Sequence, residues 1–194
     1  MTITTDILKA IAPGSKKTGG KHLPGLALWM NHWFPKFEID TLQEIRHVLA
    51  QWAHESDSFN TLEEYASGKA YEWRVDLGNT VKGDGERYKG RGPTQTTGRV
   101  NYLRLGEKLQ KPNMFLDNPE LLEFPEWGVW SSCVYWDDKS LNDIANMPDS
   151  AEIPSKKAKR MLSPLEYITL RINGGFRGYE ERLKFYERAK SIIV

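Results

Sequence analysis

The sequence predicts a mainly α (α+β) fold with one small irregular or β lobe around residues 70–92. Three observations carry that reading. Apolar residues recur at helical spacing over most of the chain, two helix starts carry capping signals, and one glycine-rich stretch interrupts the periodicity. A short helix is expected around Asp6–Ala12, stopped by Pro13-Gly14, and Gly14–Lys21, rich in Gly, Lys, Ser and Thr, is expected as a mobile loop. Leu26, Trp29, Met30 and Trp33 mark a second helix that Pro35 ends. Thr41-Leu42-Gln43-Glu44 is a capping box, in which Thr and Glu side chains each accept from the other's backbone N–H. It opens a helix with Leu42, Ile45, Val48, Leu49 and Trp52 on one face and His54-Glu55 near its end. Glycines at 68, 78, 83, 85, 90 and 92 then predict turns and short strands holding irregular backbone near a ligand. Helical patterns return near 99–109, 126–136 and 140–146. Asp149–Lys159, charged and containing Pro and Ser, reads as a surface loop. Ser163-Pro164-Leu165-Glu166 combines an N-cap with Pro at the first helical position. A last helix is expected from about Tyr179 to the end, with Leu183, Tyr186 and Ile193 inward.

At 194 residues the expectation is one domain, 1–194, with ample length to bury a core. The 27 basic and 26 acidic residues are mixed along the chain and offer no broad footprint for nucleic acid. No run approaches the roughly 18–20 apolar residues of a membrane span, so no stable membrane association is expected. Met1-Thr2-Ile3-Thr4-Thr5-Asp6 lacks the charged start and apolar core of a secretory signal. The lone Cys133 excludes an intrachain disulfide and fits synthesis in a reducing compartment, and a monomer is expected. Seven Trp and eight Tyr are many for this length. Their flat apolar faces suit stacking on sugar rings, although any one of them is more often core.

Glu55 and Glu64 are the leading catalytic candidates, because cleavage of a glycosidic bond usually needs two carboxylates flanking it. One must hold a proton at a pH where most carboxyls have lost theirs, which favours a half-buried position such as Glu55 beside Trp52 and Phe59. On a continuous helix nine residues would turn Glu64 roughly 180° away from Glu55. The two converge only if the helix breaks at Ser56-Asp57-Ser58 or Asn60. Glu63 and Glu72 compete for the second role. Tyr88–Thr97 reads as the floor of the site: Gly90 and Gly92 admit close backbone approach, Arg91 can pair with a glutamate, Gln95 can bond a sugar and Thr97 can hold a water. The same segment also reads as a tight turn with capping polar side chains. Asn173-Gly174-Gly175 reads as a helix C-cap in preference to a substrate contact. His54-Glu55 is followed by Ser58 where a helical zinc motif needs His, and Gly83-Asp84-Gly85 lacks the ending of a phosphate loop. Neither metal nor cofactor is expected.

Ala53-His54-Glu55-Ser56 with Phe59, Leu77-Gly78-Asn79-Thr80, Gly83-Asp84-Gly85, Tyr88–Gln95, Thr97-Gly98-Arg99, Asn101-Tyr102 and Ile172-Asn173-Gly174-Gly175 with Arg182 come in one order. In that order they resemble glycoside hydrolase family 19, the chitinase-like family, in its bacteriophage endolysin branch. The resemblance covers roughly 40–190 and leaves 1–39 as N-terminal helices and a loop. It implies a lysozyme-like, two-lobed helical fold with a cleft between the lobes, and an inverting mechanism. By resemblance, Glu55 matches the general acid, Glu64 the second catalytic glutamate and Thr97 the residue that helps hold the attacking water. Gln95, Asn101 and Asn173 match its sugar-contacting positions and Arg182 a charged residue supporting the cleft; Tyr102, beside Asn101, is expected among the substrate-binding residues and Arg91 among the supporting ones. The disulfide cysteines of plant members are absent, Trp73 stands where the branch usually has Gly, and the segment from Glu64 to Tyr71 is short.

The resemblance implies a bacteriolytic, antimicrobial endolysin that cleaves β-1,4 bonds of peptidoglycan and causes host cell lysis. Its carboxyls would stand roughly 6.5–9.5 Å apart. It would accumulate in the bacterial host cytoplasm and reach the wall after holin-type release. A chitinase acting on β-1,4-linked N-acetylglucosamine is the alternative enzyme. A non-catalytic sugar-binding or virion structural protein is the alternative from another class.

Overall fold

A computed structural model describes residues 1–194, with ten α-helices and one two-stranded sheet. Helix α1 (Thr5–Ile11) is capped by the Thr4 side chain. α2 (Leu23–Trp33) gives way at Pro35 to a 3₁₀ turn, Phe34–Phe37. α3 (Leu42–Glu55) opens on the expected capping box, with both reciprocal bonds made. Its Glu44 is buried and also receives the Asn146 amide at 2.6 Å, so one capping residue ties two helices together.

The glycine-rich region holds two 3₁₀ turns, Lys69–Tyr71 and Val75–Leu77, and the single-turn helix α4 (Asp84–Arg87). Then follow α5 (Arg99–Lys108), α6 (Met114–Asp117), a 3₁₀ turn at Pro119–Glu123, α7 (Pro125–Asp137) and α8 (Leu141–Ala145). Strands β1 (Ile153–Ser155) and β2 (Arg160–Leu162) pair antiparallel, with Ile153 opposite Leu162. α9 (Pro164–Asn173) begins with a second complete capping box, Ser163 with Glu166, and α10 (Tyr179–Ile192) ends the chain.

Two apolar clusters divide the molecule into a large and a small lobe. The larger joins 29 buried residues, mainly from α1, α2, α3, α7, α9 and α10. The smaller is Tyr88, Tyr102, Leu105, Phe115, Leu122, Trp130 and Val134. α7 serves both. Val129, Cys133 and Trp136 face the large core while Trp130 and Val134 face the small one, which is why its apolar residues run around the whole helix instead of forming one stripe. α3 packs along α10 and α2 along α7, so the C-terminal helix lies against the helix that ends in Glu55. A fully buried Leu, Ile or Phe in these seams stabilises by about 1.5–3 kcal/mol relative to exposure. No helix is long and apolar enough to cross a membrane.

Three local expectations need correction. The irregular lobe holds no strand. It contains isolated bridges, Glu63 with Arg91 and Arg91 with Thr96, and the sheet lies at 153–162 instead. Asp149–Lys159, expected as a loop, thus contains most of a β-hairpin. Its strands are three residues long, too short for alternation to register, and Lys159 at φ 54° helps turn the chain. Gly14–Lys21 is not a free loop either. Pro13–Thr18 forms a 3₁₀ turn, Lys17 Nζ pairs with Asp57 at 2.9 Å, and the Asn60 amide donates to the Gly14 carbonyl at 3.0 Å.

Candidate active site

The break after α3 is built by strained backbone. Asp57, Ser58 and Phe59 all have positive φ (49°, 61° and 63°), a run that non-glycine residues rarely adopt. The strain is held by burial of Phe59 and by Ser56 Oγ, which donates to the Trp52 carbonyl at 2.6 Å and accepts from Phe59 N–H at 3.2 Å. The chain thereby leaves the α3 axis and brings Glu63-Glu64 onto the glycine segment. Glu64 N–H donates to the Gly90 carbonyl at 2.8 Å, and Gly92 N–H donates to the Leu62 carbonyl at 2.8 Å.

Glu55, the last residue of α3, keeps about a fifth of its side chain exposed, and Arg182 of α10 donates to its Oε1. Arg182 is itself fully buried and also donates to the Arg177 carbonyl at 2.8 Å. Burial pulls its guanidinium below the usual arginine range, and the Glu55 charge opposes that shift. The preceding residues form a parallel contact, His54 Nδ1 lying 2.6 Å from Glu181 Oε2. Gly178, at φ 76°, has no room for a side chain because a Cβ there would collide with the His54 ring.

Glu64 is fixed by two donors. Gly90 N–H reaches its Oε2 at 3.1 Å and the Tyr71 hydroxyl its Oε1 at 2.8 Å. Burial and that bond to Glu64 together raise the Tyr71 hydroxyl above its ordinary range. A Cβ placed on Gly90 would lie 2.7 Å from Gln95 Oε1, 3.2 Å from Glu64 Oε2 and 3.3 Å from Thr97 Oγ1. Three side-chain oxygens from two segments therefore converge on the bare Cα of Gly90. Gln95 is turned there by its own positive φ of 55°, its amide nitrogen donating to the Gly92 carbonyl at 2.9 Å. Thr97 donates to the Gln95 carbonyl at 2.9 Å, and Asn101 donates to the Thr97 carbonyl at 2.7 Å.

A cleft of about 520 Å³ runs past these groups, its walls including Glu55, Gln95, Thr97, Asn101, Tyr135 and Lys139. Glu64 is not among its lining side chains and adjoins it through Gln95 and Thr97. The Tyr135 hydroxyl donates to the Ile172 carbonyl at 3.1 Å and is pushed up to about 12, by burial first and by the Glu55 charge second. A cavity of about 560 Å³ on the small lobe, walled by Asp84, Arg87 and Arg99, includes neither Glu55 nor Glu64.

Several expected site residues do other work. Tyr102 is wholly buried, donates to the Lys89 carbonyl at 2.7 Å and accepts from Arg91 at 3.1 Å, so it cannot touch substrate. Arg91 pairs with Glu123 at 2.6 Å and lies 4.0 Å from Glu63, holding the small lobe together without pairing with Glu55 or Glu64. The Asn173 amide faces the Gly175 and Arg177 carbonyls at 3.4 and 3.3 Å, fastening the turn between α9 and α10, and it does not line the cleft. The two rival glutamates are also engaged. Glu63 pairs with Lys89 at 2.6 Å, and Glu72 accepts from Gly83 and Gly85 N–H at 2.7 and 2.8 Å. Tyr71, Tyr135 and Lys139 escaped sequence reading because no spacing marks a lone residue that reaches the site from another segment. No group of three or more His, Cys, Asp or Glu side chains is placed to hold a metal ion.

No protein-family model matches the chain. A glycosyl hydrolase family 19 domain-containing protein of Haemophilus influenzae (strain ATCC 51907 / DSM 11121 / KW20 / Rd) is 28% identical over 123 residues, covering 63% of this chain and 51% of that protein. The chain thus spans about half the length of this curated relative. Among solved structures, chitinase C from Streptomyces griseus HUT6037 aligns over 99% of this chain and 76% of its own, with TM-score 0.64 and 18% identity. A family GH19, class IV chitinase from Zea mays aligns over 99% and 92%, with TM-score 0.65 and 15% identity. A bacterial family 19 chitinase aligns over 100% and 95%, with TM-score 0.62 and 19% identity.

Proposed function

We propose that this chain, a relative of glycoside hydrolase family 19 by sequence and by fold, hydrolyses β-1,4 bonds between aminosugars, with bacterial peptidoglycan as its polymer. One observation carries the reading. Glu55 lines the cleft and Glu64 adjoins it through Gln95 and Thr97, each carboxylate held by dedicated partners: Glu55 by Arg182, and Glu64 by Gly90 N–H and the Tyr71 hydroxyl. In an inverting scheme Glu55 protonates the leaving oxygen. Glu64 takes a proton from a water that attacks the opposite face of the sugar. The water would be held from the wall where the Thr97 hydroxyl, Gln95 Oε1 and Glu64 Oε2 crowd around Gly90. Asn101 supports this wall through its bond to the Thr97 carbonyl.

Synthesis in the bacterial host cytoplasm followed by holin-type release to the wall, with lysis as the outcome, belongs to the same reading. A chitinase is the second reading, favoured by the solved chitinases that share the fold. Mass spectrometry of sugars released from purified peptidoglycan, beside a soluble chitin-oligomer assay, separates the two. Muropeptides with new reducing ends support the first reading, and the identity of the reducing sugar names the bond cleaved. Cleavage of chitin oligomers alone supports the second. Binding of either polymer without release of any product overturns both in favour of a non-catalytic sugar-binding protein.

A further inference from the structure

We propose that Lys139 forms an anion-binding subsite of the cleft, which selects a carboxylate-bearing aminosugar polymer over neutral chitin. The proposal rests on the reading of the cleft as an aminosugar site and adds to it the substrate's charge.

Four charged side chains line the cleft: Glu55, Arg104, Asp138 and Lys139. Three of them are paired within the protein. Glu55 holds Arg182, while Asp138 takes Arg104 at 3.1 Å and Lys108 at 2.9 Å. Lys139 makes no ion pair, and its Nζ makes no hydrogen bond. It lies over the Tyr135 ring, 4.6 Å from the centroid. The ring is anchored in turn by its hydroxyl on the Ile172 carbonyl. A ring face steadies an ammonium without consuming its three N–H donors. A second cation stands close by, with the Arg171 guanidinium 3.4 Å from the Lys139 carbonyl.

Lys139 is half-buried. Burial is the largest cause of its lowered pKa, Arg171 and Arg104 add to it, and Asp138 opposes it. A partly desolvated cation with free donors and like-charged neighbours is stabilised by any anion that reaches it. A neutral chitin chain offers none. Peptidoglycan offers carboxylates on its stem peptides, and on the lactyl groups of those sugars that carry no peptide. The free ammonium and the catalytic candidate Glu55 share one cleft, so a polymer threaded past Glu55 passes Lys139 as well.

The test compares two ligands of equal length in a Glu55→Gln background, where turnover is removed. One is an alternating N-acetylglucosamine–N-acetylmuramic acid tetrasaccharide with free lactyl carboxylates, the other a chitin tetrasaccharide. Lys139→Gln is expected to weaken binding of the anionic ligand by about tenfold, as loss of one charge-assisted hydrogen bond would. The change for the neutral ligand should be several times smaller. Salt should weaken anionic binding in the lysine protein and much less in Lys139→Gln. Lys139→Arg should retain the preference. If Glu55→Gln does not fold, KM for the two ligands with Glu55 retained gives the same comparison. Equal losses for both ligands, no loss for either, or tighter binding of chitin by the lysine protein overturns the subsite. Preferential binding of the anionic ligand by a protein whose Glu55 form cleaves neither ligand leaves the subsite standing and overturns the hydrolase reading instead.

Discussion

Arg182 holds Glu55 across 127 residues of sequence, from a position with no exposure to solvent. The pair joins α10 to the end of α3, so the C-terminal helix both completes the large core and sets the direction of a cleft carboxylate. Arg182→Met should therefore cost stability and activity together. Removing one member of a buried pair typically costs about 3–5 kcal/mol, and the partial exposure of Glu55 favours the low end. At that size, Tm should fall by about 6–12 °C for a chain of this length. Glu55→Gln keeps the shape and the contact with Arg182 but cannot deliver a proton. Its turnover per folded molecule should drop by about 10²–10⁴-fold, and Tm should fall as well, because the buried Arg182 loses its counter-charge. Near-normal turnover in a folded Glu55→Gln protein removes Glu55 from the acid role.

Glu64 and Glu72 should separate by readout. Glu64→Gln is expected to lose turnover with a modest change in Tm, since the amide still accepts from Gly90 or Tyr71. Glu72 closes the Gly83–Gly85 turn through two backbone N–H bonds, so Glu72→Gln should lower Tm while folded protein keeps its turnover. The opposite pattern would transfer the base role to Glu72.

Gly90→Ala tests the convergence of Glu64, Gln95 and Thr97. Gly90 has no positive φ, so alanine adds no backbone strain there, and its methyl enters the point where Glu64, Gln95 and Thr97 converge. Turnover should fall on the order of 10–100-fold, the scale on which small misplacements act in active sites. Unchanged turnover would mean that the arrangement of Glu64, Gln95 and Thr97 around Gly90 is not needed for the reaction.

Thr97→Val should cut turnover more than substrate affinity, and Thr97→Ser should restore much of it. The hydroxyl also donates to the Gln95 carbonyl, so a purely structural role predicts instead a lower Tm with intact turnover per folded molecule.

His47 predicts an acid-labile fold. It is wholly buried in α3, stacked on Tyr186 with centroids 4.3 Å apart, and neither ring nitrogen has a partner. Burial lowers its pKa to about 3, while Asp149 opposes the shift. Between that value and the ordinary value near 6.5 the unfolded chain binds a proton that the folded chain refuses. The stability associated with a neutral His47 is thus full above about pH 6.5 and declines as pH falls toward 3. Thermal melts at pH 7 and pH 4 should show a smaller difference for His47→Leu than for the parent protein. Equal differences would remove His47 as a source of acid lability.

The sequence by itself determined most helices and the way they start. Capping boxes at Thr41 and Ser163, Pro35 as a stop and the 3.6-residue apolar spacing are local signals, and the helices lie where those signals put them. It also indicated that Glu55 and Glu64 could converge only if the helix broke between them, because a continuous helix would have pointed them apart. Only the tertiary structure decided what each polar side chain holds. Tyr102 packs its ring in the small core with its hydroxyl satisfied by Arg91 and the Lys89 carbonyl, and Arg91 pairs with Glu123 at the end of the Pro119–Glu123 turn. Lys139 is left unpaired because Asp138 beside it is already taken by Arg104 and Lys108 from α5. Helix and turn formation depend on neighbours a few residues away, which a sequence displays. Hydrogen bonds and ion pairs are exchanged among groups that burial brings together from distant segments, and which partners meet depends on how the two lobes pack.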